Sequence, residues 1–366
     1  MTKNLRYIAT DNPETELWRI ISKYSYPSNI EKYFNENDII LEDEKVVDFI
    51  SGSILQAESY FRMAKTSELY IKPLLVYYGV SNLLAGTSSL LTGSFLAVKN
   101  HGMNLIPPTD LQEGIISSQV KIVDPGSGGF TKFHNILVTG ETPPHGITIG
   151  LNEVLGSIPD LKFEFENCYQ AEKSNVIPVE IVKLNDRTIE RIYYEGISRV
   201  GSKEKVFNNI EHFKDNYLPP QFLEDKIVLN RKMNFNDIGI YSIHGRKYLQ
   251  LSIQKKSTKI KMNSLFNMYL ALYALGYLSR YNPHIWNPFV QKDLTGEKLV
   301  IEKFMDIAIR HVPNLVLNII EGEEIKFMAQ TDAITDLRNS TLDKSITKLV
   351  EEQVKKILHS EGRGGK

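Results

Sequence analysis

Arg280, His284 and Trp286 lie in one short segment, Ser279-Arg280-Tyr281-Asn282-Pro283-His284-Ile285-Trp286. A guanidinium offers a planar fork of donors to phosphate or carboxylate. An imidazole exchanges a proton near neutrality, and an indole gives a flat face for stacking. Together the three are candidates for binding a phosphate or carboxylate, with Trp286 as the platform. The competing reading is structural. Arg280 falls near a helix end, where a cation complements exposed carbonyls or pairs with a buried acid, and Trp286 then belongs to the core.

HEPN-type ribonucleases also place an Arg and a His several residues apart on one helix. Here the interval from Arg280 to His284 is shorter than that pattern, and Pro283 breaks the helix between them. His101 is a further ligand-site candidate, because it follows the most apolar helix of the chain. It belongs to one of three His-Gly pairs, with His145-Gly146 and His244-Gly245. Glycine after a polar residue suits a turn needing positive φ, which accounts for all three pairs. Asp124-Pro125-Gly126-Ser127-Gly128-Gly129 could cradle a phosphate on backbone N–H groups. It lacks the Gly-Lys-Ser/Thr ending of a phosphate loop and the helix-opening context of a dinucleotide fingerprint, so a flexible loop is the simpler reading. No histidine or carboxylate pair has metal-ligand spacing such as H-x-x-x-H, and no metal or other cofactor is expected. The single cysteine, Cys168, excludes an intramolecular disulfide and has no basic neighbour to mark it as a nucleophile.

The bulk composition narrows the classes. The 366 residues carry 43 Lys plus Arg against 44 Asp plus Glu, a formal charge of -1. A non-specific nucleic-acid binder draws its affinity from a basic excess, which is missing here. Only Lys255, Lys256, Lys259 and Lys261 make a local basic stretch. With 42% apolar residues the chain has ample surface to offset chain entropy in a core. The start, Met1-Thr2-Lys3-Asn4-Leu5-Arg6, lacks the pattern of a secretory signal. The run Pro73–Leu91 is about as long as a membrane span. It lacks an aromatic belt and is broken by Gly79, Ser81, Asn82, Gly86, Thr87, Ser88 and Ser89, so it reads as a buried core helix. The cytoplasm is the expected location.

The elements that must position these residues follow from periodicity. Helices are expected over Pro13–Tyr24 and Asp43–Ala64 and from Pro73 onward. Val46, Val47, Ile50, Ile54, Ala57 and Phe61 mark the buried face of the second. Between Gly114 and Ile149 glycines and prolines punctuate short runs such as Ile136-Leu137-Val138 and Ile147-Thr148-Ile149, which read as strands and loops. Brief helices follow over Asn152–Ser157 and from Asp160. Val176–Lys183 with Thr188–Tyr194, and Ile238–Ile243 with Tyr248–Ile253, read as antiparallel hairpins. A helix from Asn263 should end before Pro283. Another spans Gly296–Ile309, with Thr295 as N-cap and Pro313 beyond its end. A strand over Glu324–Met328 and a helix over Leu342–Leu358 complete the pattern.

Two blocks of the sequence stand out together. One is Gln56-Ala57-Glu58-Ser59-Tyr60, then Ile71 to Val80, closing with His101-Gly102. The other is Ala271-Leu272-Tyr273-Ala274-Leu275, then Ser279 to Trp286, continuing to Pro313-Asn314-Leu315-Val316-Leu317-Asn318. Both blocks resemble the YaaC-like family of bacterial proteins, and Leu155 to Leu161 is similar to a third segment of that family. The resemblance implies a bacterial, mainly intracellular α+β protein, and it brings no established reaction or catalytic residues.

The expected fold is therefore α+β, with helical N-terminal and C-terminal segments packed together around a β-rich middle of antiparallel hairpins. The segments are 1–113, 114–260 and 261–360, in one continuous unit, with a polar, glycine-rich tail at 361–366 too poor in apolar residues to pack. The functional expectation is a binding or assembly protein, in a bacterial stress or phage-defence setting. Its partner is a protein or a nucleotide or RNA ligand, not a membrane, and a homo-oligomer is compatible with the sequence. The alternative is a metal-independent ribonuclease or nucleotide-processing enzyme using Arg280 with His284, or His101. Ligand-binding candidates are His101, Arg280, His284 and Trp286.

Overall fold

The computed structural model describes residues 5–328, apart from 97, 110–113, 124–127, 169–173, 185–186, 195–205, 256–257 and 294. The expected helix over Leu342–Leu358, the tail at 361–366 and the first four residues of the glycine-rich segment lie outside the described residues. So does the Asn185-Asp186 turn.

Strand β1 (Leu5–Ala9) precedes α1 (Pro13–Ser22). Asn12 caps α1, its Oδ1 accepting from the Thr15 N–H at 3.1 Å, and Pro13 opens the first turn. Helix α2 (Pro27–Glu36), not anticipated from the sequence, leads to α3 (Lys45–Thr66) and α4 (Lys72–Thr92). Of the helices described, α4 alone is long and apolar enough to cross a bilayer. It is instead enclosed, lying against α3, α5 and the two long C-terminal helices introduced below. The small residues that interrupt it explain how. A Cβ on Gly79 would stand 2.9 Å from the Phe61 ring, and one on Gly86 would stand 3.0 Å from Ser53 Cβ. Glycine there lets α3 approach closely, and Thr87, Ser88 and Ser89 are completely buried.

Strands β2 (Met103–Ile106), β3 (Gln119–Ile122) and β4 (Ile147–Gly150) form an antiparallel meander, with α5 (Gly129–Leu137) between β3 and β4. The expected strand at Ile136-Leu137-Val138 is thus corrected. Ile136 and Leu137 finish α5, because Phe130, Phe133, His134 and Leu137 recur at helical intervals and are all buried. Helices α6 (Leu151–Leu155) and α7 (Lys162–Cys168) follow.

The hairpin reading holds in the middle. Strand β5 (Val176–Leu184) pairs antiparallel with β6 (Arg187–Tyr193). After α8 (Phe213–Asn216) come β7 (Gln221–Phe222), β8 (Lys226–Asn230), β9 (Ile240–Tyr241) and β10 (Lys247–Gln250). These six strands form one sheet in the order β7-β8-β6-β5-β10-β9. A separate hairpin joins β11 (Ile253–Lys255) to β12 (Thr258–Ile260). The six-stranded sheet has its own core, including Ile177, Ile192, Phe213, Ile227, Leu229 and Leu249. The helices, the meander and β11–β12 share another.

Helix α9 (Ser264–Tyr281) is capped by Asn263, whose Oδ1 accepts from the Leu265 N–H, and it stops before Pro283 as the sequence requires. Pro283 then opens α10 (Pro283–Gln291), a helix the sequence had not suggested. Helix α11 (Glu297–Glu321) differs from expectation at both ends. Thr295 Oγ1 accepts from the Glu297 N–H at 3.4 Å, but Asp293 takes more of the loose amides, with Oδ2 accepting from Lys298 N–H at 2.9 Å and Oδ1 from Gly296 N–H at 3.1 Å. The helix also runs through Pro313 instead of ending before it. An interior proline costs about 3 kcal/mol. Beyond it Val316, Leu317 and Ile320 are buried, and that burial carries the helix onward. Strand β13 (Glu324–Met328) finally pairs in parallel with β1, Leu5 opposite Glu324, so the two ends of the described chain meet.

Candidate functional site

Tyrosines fall at every fourth position of α9, at 269, 273, 277 and 281, and so share one face. That face meets α4 where Gly276 would place a Cβ only 3.2 Å from Tyr77 Cβ. Tyr77 lies stacked on Tyr269, ring centroids 5.7 Å apart at 19°, and meets Tyr273 edge-on at 5.8 Å. The Tyr273 hydroxyl donates to the Met103 carbonyl at 2.7 Å, tying α9 to the meander. Outward along the same surface, Tyr60 and Tyr78 lie 5.9 Å apart, and Tyr277 and Tyr281 lie 4.7 Å apart.

His101 enters this cluster from the loop before β2. Its Nδ1 is 2.6 Å from the Tyr77 hydroxyl, and its ring is 5.6 Å from Tyr273. The loop is pinned by α5. Gly129 N–H donates to the Asn100 carbonyl at 2.8 Å and Phe130 N–H to the His101 carbonyl at 3.0 Å. Gly102 has φ +71°, and a Cβ there would stand 2.9 Å from Gly128 Cα, so only glycine suits the position. These bonds also engage the leading amides of α5, which removes two donors that a phosphate cradle at Gly128-Gly129 would need. Gly146 and Gly245 likewise have positive φ, as expected of His-Gly turns.

Arg280 closes the exposed end of the cluster. Its guanidinium contacts the Tyr78 hydroxyl and lies 4.9 Å from the centre of the Tyr281 ring. Among the described residues no carboxylate pairs with it. The His101 imidazole is exposed at its outer edge, yet burial of its inner side lowers its pKa, and the Arg280 cation lowers it further. His101 is therefore neutral at pH 7. Burial also holds the Tyr77 phenol far above its ordinary pKa, so the hydroxyl keeps its proton and can donate it to Nδ1. In that tautomer the imidazole proton sits on Nε2, which makes that nitrogen a donor.

Residues 22–320 match the family described as YaaC-like Protein, and that span includes every residue of this cluster. The chain belongs to the YaaC-like family. No curated protein and no solved structure matches it.

In this YaaC-like chain the four sequence candidates separate. His101 and Arg280 come together. His284 lies exposed in the first turn of α10, on a different helix from Arg280. The Trp286 indole is completely buried, its Nε1 donating to the Tyr70 carbonyl at 3.1 Å and its ring 5.4 Å from Phe289. A stacking role for Trp286 is thereby corrected to a packing one, since neither indole face reaches solvent. The exposed ring beside Arg280 is Tyr281 instead. The tyrosine cluster was overlooked in the sequence, although the four-residue spacing on α9 was there to find it.

The YaaC-like chain also buries charge in the six-stranded sheet. Lys247 Nζ lies 2.9 Å from Glu190 Oε1 and 2.6 Å from Asp237 Oδ1, with the Lys247 and Glu190 side chains fully buried. Arg231 grips Glu190 through Nε at 2.8 Å and Nη2 at 2.6 Å, and the Tyr217 hydroxyl donates to Glu190 Oε2 at 2.6 Å. Burial alone would raise the Asp237 carboxyl, but Lys247 and Tyr241 outweigh it and hold it below the usual range. Two cations balance two anions, with Lys247 and Glu190 withdrawn from solvent, so the network ties the strands together.

A further buried acid, Glu297, joins α11 to the meander. Its Oε2 accepts from the Ile115 N–H at 2.7 Å, while Oε1 has no partner. Burial pushes this carboxyl up to about 7, against the pull of the Ile115 and Ile116 amides.

Proposed function

We propose that this YaaC-like chain is a binding protein whose ligand carries a phosphate and a flat base, a nucleotide or a stretch of single-stranded RNA. The observation that supports this reading is Arg280, an exposed guanidinium with no counter-ion among the described residues, at the edge of a tyrosine cluster. Its remaining donors suit a phosphate, and His101, close enough for the Arg280 cation to lower its pKa, adds a further polar group to the cluster. Tyr281, 55% exposed, offers a face on which a base can stack. Direct titration with a nucleotide series and with a labelled single-stranded RNA tests the reading. Charge-assisted bonds contribute about 1.5–3 kcal/mol, so Arg280→Ala should weaken binding roughly 10- to 100-fold. Unchanged affinity in that variant, or no binding by the unmodified protein, would refute it.

A second reading is cleavage of RNA without a metal. It is favoured by the neutrality of His101, since a neutral imidazole can take a proton from a ribose hydroxyl. It requires the other tautomer, with Nδ1–H donating to the Tyr77 oxygen and Nε2 left bare. Product analysis after incubation with RNA decides between the two, because binding alone leaves the strand intact. Persistence of cleavage in His101→Ala would remove His101 from any such mechanism.

A further inference from the structure

The six-stranded sheet carries a half-open cavity of about 400 Å³, within the range of small-molecule sites. It shares no residue with the tyrosine cluster. Its walls are Phe207, Phe213, Tyr217, Pro219, Pro220 and Phe222. Phe207 and Phe213 lie 4.7 Å apart at 31°, and Phe213 is stacked on Tyr217 at 5.0 Å and 26°. The three rings form a column, Phe213 between Phe207 and Tyr217, that lines one side of the cavity. Phe222 meets Phe207 edge-on at 6.4 Å and is 46% exposed, so the mouth is open to solvent. The Tyr217 hydroxyl is held by buried Glu190 at 2.6 Å, which anchors the wall to the charge network behind it.

The charge around the cavity has one sign. Lys214 and Lys232 line it, and Lys232 Nζ donates to the Lys214 carbonyl at 2.6 Å, which keeps that ammonium at the rim. Lys259 reaches the same rim by donating to the Asn208 carbonyl at 2.8 Å. Among the described residues no Asp or Glu lines the cavity. The nearest acids in sequence are Glu211, Asp215 and Glu224; none lines the cavity, and Glu211 and Asp215 face His212 at 3.7 Å and 3.1 Å. A lining of aromatic rings and prolines calls for a flat apolar body, and two lysines in a lining without a carboxylate call for an anion at one end of it.

We propose that this cavity binds a small aromatic carboxylate, its ring against the exposed Phe222 and the Pro219-Pro220 wall and its carboxylate at Lys214 and Lys232. Calorimetric titration of the full chain with 2-naphthoate and with neutral 2-naphthamide tests it. The carboxylate should bind about tenfold more tightly than the amide. The exposed double substitution Lys214→Met with Lys232→Met should abolish that preference, while Phe222→Ser should weaken both ligands. Arg280→Ala should leave naphthoate binding unchanged, which separates this site from the one proposed above. Equal affinity for acid and amide, indifference to the lysine substitutions, loss of binding in Arg280→Ala, or no binding of either ligand at millimolar concentration would each overturn the assignment.

Discussion

Replacing Glu297 by glutamine should make the protein more stable above pH 7. The carboxyl is completely buried where α11 meets the meander, and one of its oxygens has no hydrogen-bond partner. Its folded-state pKa of about 7 stands above the ordinary 4.5. Between those two values the folded protein binds the proton more tightly than the unfolded chain, so this group lowers stability as pH rises. Its contribution is intact below pH 4.5, fades through pH 7, and is constant beyond. At about 1.4 kcal/mol per unit, the displacement amounts to about 3 kcal/mol. Glutamine keeps the shape and an oxygen for the Ile115 amide at 2.7 Å, but it carries no charge to bury. Urea denaturation at intervals from pH 4 to 8, on both proteins, measures the difference. The variant should match or trail the unmodified protein near pH 4.5 and exceed it by about 2–3 kcal/mol at pH 8. A stability difference that does not change with pH would refute the assignment of a raised pKa to Glu297.

Three other outcomes are expected. His134 is buried with its Nδ1 unpartnered, and burial lowers its pKa to about 4 from the usual 6.5. Its contribution is lost as pH falls from 6.5 towards 4, opposite in sign to Glu297, so His134→Phe should flatten the acid limb of the denaturation profile. Lys247→Met should cost about 3 kcal/mol by leaving Glu190 and Asp237 without their shared cation, and adding Glu190→Gln should cost less than the sum of the two single changes; an additive double substitution would contradict the network. Gly52→Ala should stabilise α3 by up to about 1 kcal/mol, since nothing lies within 4 Å of the new methyl, whereas Gly79→Ala must displace Phe61 and should destabilise; differential scanning calorimetry of the two ranks them.

Much of the helical framework was legible in the sequence. Val46, Ile50, Ile54, Ala57 and Phe61 recur at the spacing of one helix face, and that local regularity specifies α3 whatever packs on it. Pro73 and Asn263 mark helix starts by their own chemistry, and the paired runs around short polar turns specified antiparallel hairpins. Pro313 misled because its local cost was visible, while the burial of Val316, Leu317 and Ile320 that outweighs it was not. The parallel pairing of β1 with β13 was equally hidden, since nothing in Leu5–Ala9 names a partner at the far end of the described chain.

The candidate site divides along the same line. His101 and Arg280 could be selected by residue type, because imidazole and guanidinium chemistry is local to the side chain. Their meeting could not. It depends on α4 packing against α9 across Gly276, which brings Arg280 to Tyr78 over 202 positions of sequence. The same is true of the contact between Glu297 and Ile115, 182 positions apart, and of the burial of Glu190 and Lys247. By itself the sequence determined the elements and the chemistry available to them, through periodicity and side-chain type. Only the tertiary structure decided that Trp286 is buried and Tyr281 exposed, that Arg280 meets no carboxylate among the described residues, and which acids lose their water. Solvation and pairing are set by neighbours distant in the chain, and no local pattern encodes them.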